Sequence, residues 1–284
     1  MIDVRKFLSS LWRGLSKVTL NTRMEARRKC RYPALSGRED GIVISLTSFP
    51  PRMGTLWITL DSLFRQSVLP DKIVLYLTAE EFPGRLADVP AQVKRFMDYG
   101  LEIEFMPENL YSHMKYFHAL QRFTEAKVIT VDDDSYYPRY TVERLMALNG
   151  KYPGAVCANI ASVIEPSNFY DYSSWKRAGK EQQPSMLCVA LGFSGVLYPP
   201  HVIGKQMFDK DLFMSICPKA DDLWLKANEM DMGIKVACGG FFPKPVTIRG
   251  SQKVSLRKFN KGAEDGHNRQ WKALEEHFHL KEKI

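Results

Sequence analysis

The chain has 284 residues, of which 45% are hydrophobic and 25% are charged, and its formal net charge at pH 7 is +8. This composition is ordinary for a globular protein with a hydrophobic core, and it argues against a largely disordered chain. The positive charge favours anionic partners, such as nucleic acid, acidic lipid or phosphorylated substrates.

Cysteine usage and hydropathy indicate a cellular compartment. The five cysteines are an odd number and form no CxxC pair, so we expect free, mostly buried thiols in a reducing environment rather than a disulfide framework or a zinc site. No apolar run reaches the roughly 18 residues of a membrane span, and charges interrupt the N-terminus where a signal peptide needs an apolar core. These features predict a cytoplasmic protein.

Residues 1–38 are predicted to form a basic N-terminal segment that is distinct from the rest of the chain. Leu8, Leu11, Trp12 and Leu15 recur at helical spacing among many basic residues. A basic amphipathic helix can lie on an anionic membrane surface, which would make the protein peripheral on the inner face of the cell membrane. The alternative, a helix whose apolar stripe docks on the domain, stays open.

The first half of the chain alternates between strand-like and helix-like patterns. Short apolar runs predict strands at 41–47, 72–77, 101–106 and 127–131. Apolar residues at helical spacing predict helices at 53–66 and 113–124. This alternation predicts an α/β fold whose parallel sheet carries helices on both faces, with ligands bound at the carboxyl ends of the strands.

The second half is less regular. Strand-like runs lie at 154–160, 187–198 and 233–238, and helical patterns lie at 138–147, 220–230 and 269–277.

Three adjacent carboxylates, Asp132, Asp133 and Asp134, follow the fourth predicted strand. Like charges at this spacing repel unless a cation intervenes. If the strand continues, Asp132 and Asp134 point the same way and Asp133 points opposite. Oxygen ligands of this kind suit Mg²⁺ or Mn²⁺, which usually also binds substrate phosphates. The alternative is that Asp134 or Ser135 caps the helix predicted at 138–147, although a cap needs one carboxylate rather than three.

A second acidic pair, Asp221 and Asp222, opens the helix predicted at 220–230. Acids are common in a first helical turn because they interact favourably with the helix dipole. Here the pair would also supply a carboxylate base separate from the metal-site carboxylates. Transfer of a group to a hydroxyl requires such a base.

Four segments occur in an order that resembles a known family: Ile44–Arg52, Ile129–Asp134, Gly192–Pro200 and Ala220–Trp224. Together they resemble bacterial family-2-like glycosyltransferases of the GT-A fold, over roughly residues 41 to 270. The resemblance implies one catalytic domain at 39–284 with a GT-A-like mixed, mainly parallel sheet flanked by helices. Its nucleotide-binding half would be about 39–137, and its acceptor half about 138–284.

The resemblance also implies roles for residues on the donor side. Thr47 and Arg52 would flank the nucleoside, and Lys115 would lie near the nucleotide. Asp132 and Asp133 would contact the nucleoside and ribose. Many relatives carry an acid after the second strand to read the base, but this sequence has Tyr76–Thr78 there, so the resemblance leaves base recognition open.

The resemblance assigns the metal and the base as well. Asp134 would bind Mn²⁺ or Mg²⁺, and His267 in the polar tail is a candidate third ligand, with a solvated histidine as the alternative. Asp222 would be the catalytic base, with Asp221 as its rival. The Gly192–Pro200 run would line the sugar and acceptor cleft, where its glycines permit close backbone approach.

These inferences predict a metal-dependent, inverting hexosyl- or N-acetylhexosaminyltransferase. It would move a sugar from a nucleotide diphosphate-sugar, expected to be UDP-linked, to a hydroxyl of a surface glycan or glycolipid such as lipopolysaccharide or capsule. A retaining mechanism stays open, because sequence does not determine stereochemistry.

Two other functions are alternatives. Nucleic-acid binding is motivated by the net charge alone; the basic residues lack interleaved aromatics and no recognised binding motif occurs, so we expect no nucleic-acid partner. A nucleotide-binding protein without catalysis is the other alternative, and the intact acidic pairs argue against it.

Overall fold

The computed structural model describes residues 30–240, 243–251 and 266–284. The predicted amphipathic helix of the N-terminal segment lies outside these residues. The last part of that segment is packed on the domain. Tyr32 is buried among aromatic rings and donates a hydrogen bond to Asp61 (2.6 Å), and the Leu35 amide donates to the Tyr99 carbonyl (2.9 Å).

Strands and helices alternate through the first half of the described chain, as the sequence predicts. The strands are β1 Ile42–Thr47, β2 Lys72–Thr78, β3 Leu101–Met106, β4 Lys127–Thr130, β5 Ser135–Tyr136, β6 Val156–Ala158, β7 Ala161–Val163, β8 Lys176–Arg177, β9 Gln182–Ser185, β10 Cys188–Ala190, β11 Val196–Tyr198, β12 Val236–Cys238 and β13 Val246–Thr247. The helices are α1 Met53–Leu63, α2 Ala91–Lys94, α3 Met114–Arg122, α4 Thr141–Lys151, α5 Lys210–Ile216, α6 Asp221–Asp231 and α7 Gly266–Phe278.

Within the described residues, eight strands form one mixed sheet in the order β3-β2-β1-β4-β11-β6-β12-β9. The first four are parallel to one another. Strand β11 runs antiparallel to both β4 and β6, and β12 is parallel to β6. The predicted α/β architecture, with a mixed, mainly parallel sheet flanked by helices, is therefore confirmed.

Both faces of the sheet are buried at its centre, which explains why central strands such as β1 and β2 are almost continuously apolar, whereas the edge strand β3 alternates. On one face, Val43 and Val128 pack with Met114 of α3 and Trp224 of α6. On the other, the strand residue Ile44 belongs to a core that includes α1 and α4. The predicted state of the cysteines also holds: all five are free, and four of them are buried.

The predicted strand at 187–198 is wrong as a single element. The chain breaks there into β10, which pairs with β7 in a separate three-stranded sheet, and β11 in the main sheet. Between them Gly192–Ser194 forms a 3-10 helix, and Gly195 adopts a φ of 89°, a left-handed conformation that favours glycine. The stretch is apolar on both sides of Gly192-Phe-Ser-Gly195, and these two glycines mark the break.

No helix in the described part of the chain is long and apolar enough to span a bilayer.

Candidate active site

The strand order reverses beside β1. Strands β2 and β3 continue from β1 in one direction, whereas β4 lies on its other side. The connections therefore diverge at the carboxyl ends of β1 and β4, where open α/β sheets bind their ligands. Thr47 ends β1, Ser48 and Arg52 follow it, and Asp132–Asp134 follow β4. The topology thus brings two of the sequence motifs to one crevice.

Arg52 and Asp133 form a buried ion pair within this crevice. Arg52 ends a short 3-10 helix, Pro50–Arg52, that opens with proline. The Ser48 hydroxyl donates to the Asp133 carboxylate (2.5 Å), and the Thr59 hydroxyl donates to the Asp133 carbonyl (2.9 Å). Burial raises the pKa of Asp133 to about 6, against the opposing effect of Arg52. A contact between the Asp133 carboxylate and a nucleoside would require these bonds to open.

Asp134 also lies beside Arg52, with its Oδ2 atom 3.2 Å from the guanidinium. It is half-buried, with 16% of its side chain exposed. The alternation predicted for the three aspartates holds for burial, because only Asp133 is fully buried. The strand does not continue to these residues, because β4 ends at Thr130, and Asp133 and Asp134 share one arginine. The helix-cap alternative is also wrong, because α4 begins at Thr141 with Tyr140 as its N-cap.

Lys115 in the first turn of α3 connects the two acidic motifs. Its ammonium nitrogen donates to Asp132 Oδ1 (2.6 Å) and lies 2.9 Å from Asp221 Oδ2. Burial would lower the pKa of Lys115, but Asp132, Asp221 and Asp222 outweigh it and raise the pKa well above its usual value. The Ser45 hydroxyl of β1 donates to the Lys115 carbonyl and so anchors this turn to the sheet. The lysine therefore stays charged inside the site.

Asp221 and Asp222 occupy the first turn of α6, as predicted. Burial favours the neutral form of both, but Lys115 reverses that effect at Asp221 and lowers its pKa. Burial, together with the Asp221 carboxylate, raises the pKa of Asp222 to about 8. The pKa values of the two neighbours are thus driven apart: Asp221 stays ionised beside Lys115, whereas Asp222 holds a proton more tightly.

The Gly192–Pro200 run reaches the acidic pair through its first residue. The Gly192 amide donates a hydrogen bond to Asp222 Oδ1 (3.0 Å). This contact holds one of the two carboxylate oxygens of Asp222 in place.

Two residues predicted from the sequence, Thr47 and His267, make structural contacts with neighbouring elements. The Thr47 hydroxyl donates to the Tyr76 carbonyl (3.0 Å), which ties the end of β1 to β2. His267, in the first turn of α7, stacks on Tyr172 with ring centroids 4.5 Å apart. The described residues contain no group of three or more His, Cys, Asp or Glu side chains arranged to hold a metal ion. His267 and Asp134 therefore do not belong to a ready-made three-ligand site.

Three residues of the site were not identified from the sequence. Ser48 donates a hydrogen bond to the Asp133 carboxylate, and its position within the Ile44–Arg52 motif could have indicated a place in the site. The Tyr137 hydroxyl accepts a hydrogen bond from the Asp132 amide (2.8 Å). The Tyr172 ring lies near Asp222, whose charge, after burial, contributes to raising the pKa of Tyr172 to about 12. Neither tyrosine stands out in the sequence, because only the fold brings it to the crevice.

The donor set of the crevice fits a divalent cation. Around Lys115 three carboxylates, Asp132, Asp221 and Asp222, face one ammonium group, and Asp132 keeps 32% of its side chain exposed. A diphosphate would be repelled by this acidic wall unless a cation lay between them. Mg²⁺ and Mn²⁺ need only one or two protein carboxylates when substrate phosphates complete the coordination. A half-buried Asp134 at the strand end can supply one.

No protein-family model matches the chain, and no curated relative matches it. Among solved structures, it is similar to the mannosyltransferase PcManGT from Pyrobaculum calidifontis in complex with GDP-Man and Mn²⁺, at 15% identity and a TM-score of 0.46, over 88% of this chain and 69% of that one. It is also similar to TarS from S. aureus in complex with UDP, at 11% identity and a TM-score of 0.47, over 84% of this chain and 72% of that one. A third similar structure is the 4-diphosphocytidyl-2C-methyl-D-erythritolsynthase from Anaerococcus prevotii, at 14% identity and a TM-score of 0.45, over 79% of this chain and 100% of that one. These likenesses concern the fold alone.

Proposed function

We propose that the protein is a glycosyltransferase that moves a sugar from a nucleotide diphosphate-sugar to an acceptor hydroxyl, with inversion at the anomeric carbon. The observation that carries the proposal is the Lys115 contact. It joins Asp132 at the end of β4 to Asp221 at the start of α6. A ligand-binding strand end and a carboxylate of raised pKa thereby share one crevice.

In the proposed reaction, Asp222 accepts the proton of the acceptor hydroxyl through Oδ2, while Gly192 holds Oδ1. The acceptor oxygen forms a bond to the anomeric carbon as the bond from that carbon to the diphosphate oxygen breaks. A base whose pKa lies near the working pH suits this step, because it combines a useful ionised fraction with a strong affinity for the proton. Asp221, held ionised by Lys115, keeps the affinity of Asp222 for a proton high.

The donor would lie across the ends of β1 and β4. Thr47 and Asp132 would lie beside the donor there. Arg52 would keep the neighbouring loop in place through its ion pair with Asp133. Asp134, with the diphosphate oxygens, would hold Mn²⁺ or Mg²⁺, which neutralises the charge of the leaving diphosphate. Lys115 is committed to Asp132 and Asp221, so its part is to orient these carboxylates.

The finer identity of the substrates belongs to the same proposal. We infer a UDP-hexose or UDP-N-acetylhexosamine donor and a surface glycan or glycolipid acceptor, such as lipopolysaccharide or capsule. A basic segment ahead of residue 30 would bring the enzyme to the anionic inner face of the cell membrane, where glycolipid acceptors are assembled.

The test is a screen of UDP-, GDP- and other nucleotide diphosphate-sugars for binding and for slow donor hydrolysis, with and without Mn²⁺. We expect a preference for one nucleotide sugar and stimulation by the metal. Product stereochemistry on a model acceptor then checks inversion. Equal, metal-independent binding of all nucleotides, without turnover of any sugar, would contradict the proposed function.

A further inference from the structure

We propose that Gly192 is a positioning residue for Asp222: its amide fixes one carboxylate oxygen, and its missing side chain leaves room for both that carboxylate and the Lys115 ammonium. The inference rests on the proposed role of Asp222 as the base. It adds that the residue preceding Phe193 must be glycine for the site to be assembled.

The geometry around Gly192 carries the proposal. Its amide nitrogen lies 3.0 Å from Asp222 Oδ1. A Cβ atom placed on Gly192 with ideal geometry would lie 2.9 Å from Asp222 Oδ1 and 2.9 Å from Lys115 Nζ. Both distances are shorter than van der Waals contact allows, so any side chain at residue 192 collides with both groups at once.

A Cβ atom on Gly192 would collide with the Asp222 carboxylate and the Lys115 ammonium but not with the main chain. The atoms that a Cβ would meet are the tips of two side chains, and Gly192 does not adopt the left-handed backbone conformation that disfavours other residues. Alanine is therefore compatible with the local fold. The glycine is required by the two charged groups rather than by a turn.

Both groups have to shift to admit a Cβ atom that lies 2.9 Å from each of them. The Lys115 side chain is 5% exposed and is held between Asp132 and Asp221. Asp222 is half-buried at the start of α6, and the Gly192 amide holds one of its oxygens. A methyl group at residue 192 would push its carboxylate away from the Gly192 amide. A displacement on the order of 1 Å of a catalytic group can lower turnover about 100-fold.

The first test compares Gly192→Ala with Gly154→Ala, whose added Cβ would meet nothing within 4 Å. Using the donor selected in the screen, we expect Gly192→Ala to lower kcat about 100-fold while the donor KM and the melting temperature stay within error of wild type. Gly154→Ala should leave all three unchanged. A Gly192→Ala variant with wild-type kcat would overturn the proposal, as would equal losses of kcat in the two variants.

A second measurement is independent of turnover. In the free protein, the residue 192 amide should exchange slowly with deuterium, and Asp222→Ala should accelerate that exchange at least tenfold. Unchanged exchange means that the amide does not hold Asp222, and the positioning role is then wrong even if the protein is a glycosyltransferase. Accelerated exchange in a protein that turns over no nucleotide sugar supports the contact while removing the proposed function.

Discussion

The ammonium nitrogen of Lys115 lies 2.9 Å from Asp221 Oδ2, close enough for an ion pair, although the two residues belong to opposite halves of the chain. The same nitrogen is hydrogen bonded to Asp132 at the end of β4. The contact connects the turn after β4 to the start of α6, and through it the adjacent Asp222 joins the crevice. Each element of the proposed chemistry depends on this connection.

Asp222→Asn should abolish most sugar transfer while leaving nucleotide binding intact. The substitution keeps the size of the side chain and removes its capacity to accept a proton, so we expect kcat to fall about 100- to 10,000-fold. Transfer rates and calorimetric nucleotide affinity measure the two effects. Transfer near the wild-type rate in a variant that still binds nucleotide would show that another group is the base.

The pH dependence of kcat/KM should report the ionisation of Asp222. Its pKa is raised to about 8 by burial and by Asp221, with Lys115 opposing and Asp132 reinforcing the shift. Because the base must be ionised, kcat/KM should rise with pH and level off above about pH 8. Asp221→Asn removes the neighbouring negative charge, so it should move this rise to lower pH. A rise that stays in place, or moves upward, would argue against coupling between the two aspartates.

Asp134→Asn should weaken nucleotide binding only when the metal is present. The substitution removes the carboxylate that would hold the cation, and a contact to a charged group contributes roughly 1.5 to 3 kcal/mol, equivalent to about tenfold or more in affinity. Calorimetry with and without Mn²⁺ provides the comparison. Asp211→Asn, an exposed aspartate on α5, is the matched control. An equal loss in the absence of the metal would assign Asp134 a direct role in holding the nucleotide.

A buried ion pair outside the crevice should control stability. On α6, the Lys226 ammonium nitrogen lies 3.4 Å from Glu229 Oε2, and at most 1% of either side chain is exposed. Above the pKa of Glu229, removing Lys226 leaves the carboxylate buried and unpaired, so at pH 8 Lys226→Met should cost about 3 to 5 kcal/mol of unfolding free energy. The double variant Lys226→Met with Glu229→Leu should recover most of that loss. Denaturant unfolding measures both, and a double variant as unstable as the single one would contradict this explanation.

The same pair makes a prediction about pH. Burial raises the pKa of Glu229 from 4.5 to about 7, so between these values the native state binds more protons than the unfolded state. Protonation of Glu229 therefore contributes fully to the unfolding free energy below about pH 4.5, and this contribution is lost as pH rises through 7. The unfolding free energy of wild type, relative to that of the double variant, should fall across this interval. A constant difference from pH 4.5 to 7.5 would show that Glu229 does not titrate there.

Deleting residues 1–29 should reduce binding to anionic membranes. These residues carry most of the basic charge of the N-terminal segment, whereas Tyr32 belongs to the core and must be kept. Sedimentation with phosphatidylglycerol vesicles at low salt should show the loss, and phosphatidylcholine vesicles are the control. Unchanged sedimentation would leave docking on the domain as the role of the segment.

Most of the alternating elements could be predicted from the sequence, because each arises from a local pattern. Strand β3 agrees with its prediction at both ends, and α6 begins within one residue of its predicted start. Short strands such as β7 and β8 were missed, since two or three residues carry too little pattern. The break at Gly192 was missed because its two glycines were interpreted as allowing close backbone approach, and the apolar residues on either side do not indicate that they join different sheets.

The sequence by itself determined which residues could carry the chemistry. The buried strands, the Asp132–Asp134 run and the acidic pair in the first turn of α6 are all local features. They depend on charge, hydropathy and helix-terminus preferences. Only the tertiary structure decided how these groups are paired. Arg52 is shared between Asp133 and Asp134, and Lys115 separates the pKa values of Asp221 and Asp222. Electrostatic coupling depends on distance through space. For Arg52 that distance is set by the pairing of β1 with β4, and for Lys115 by the packing of α3 and α6 in one core.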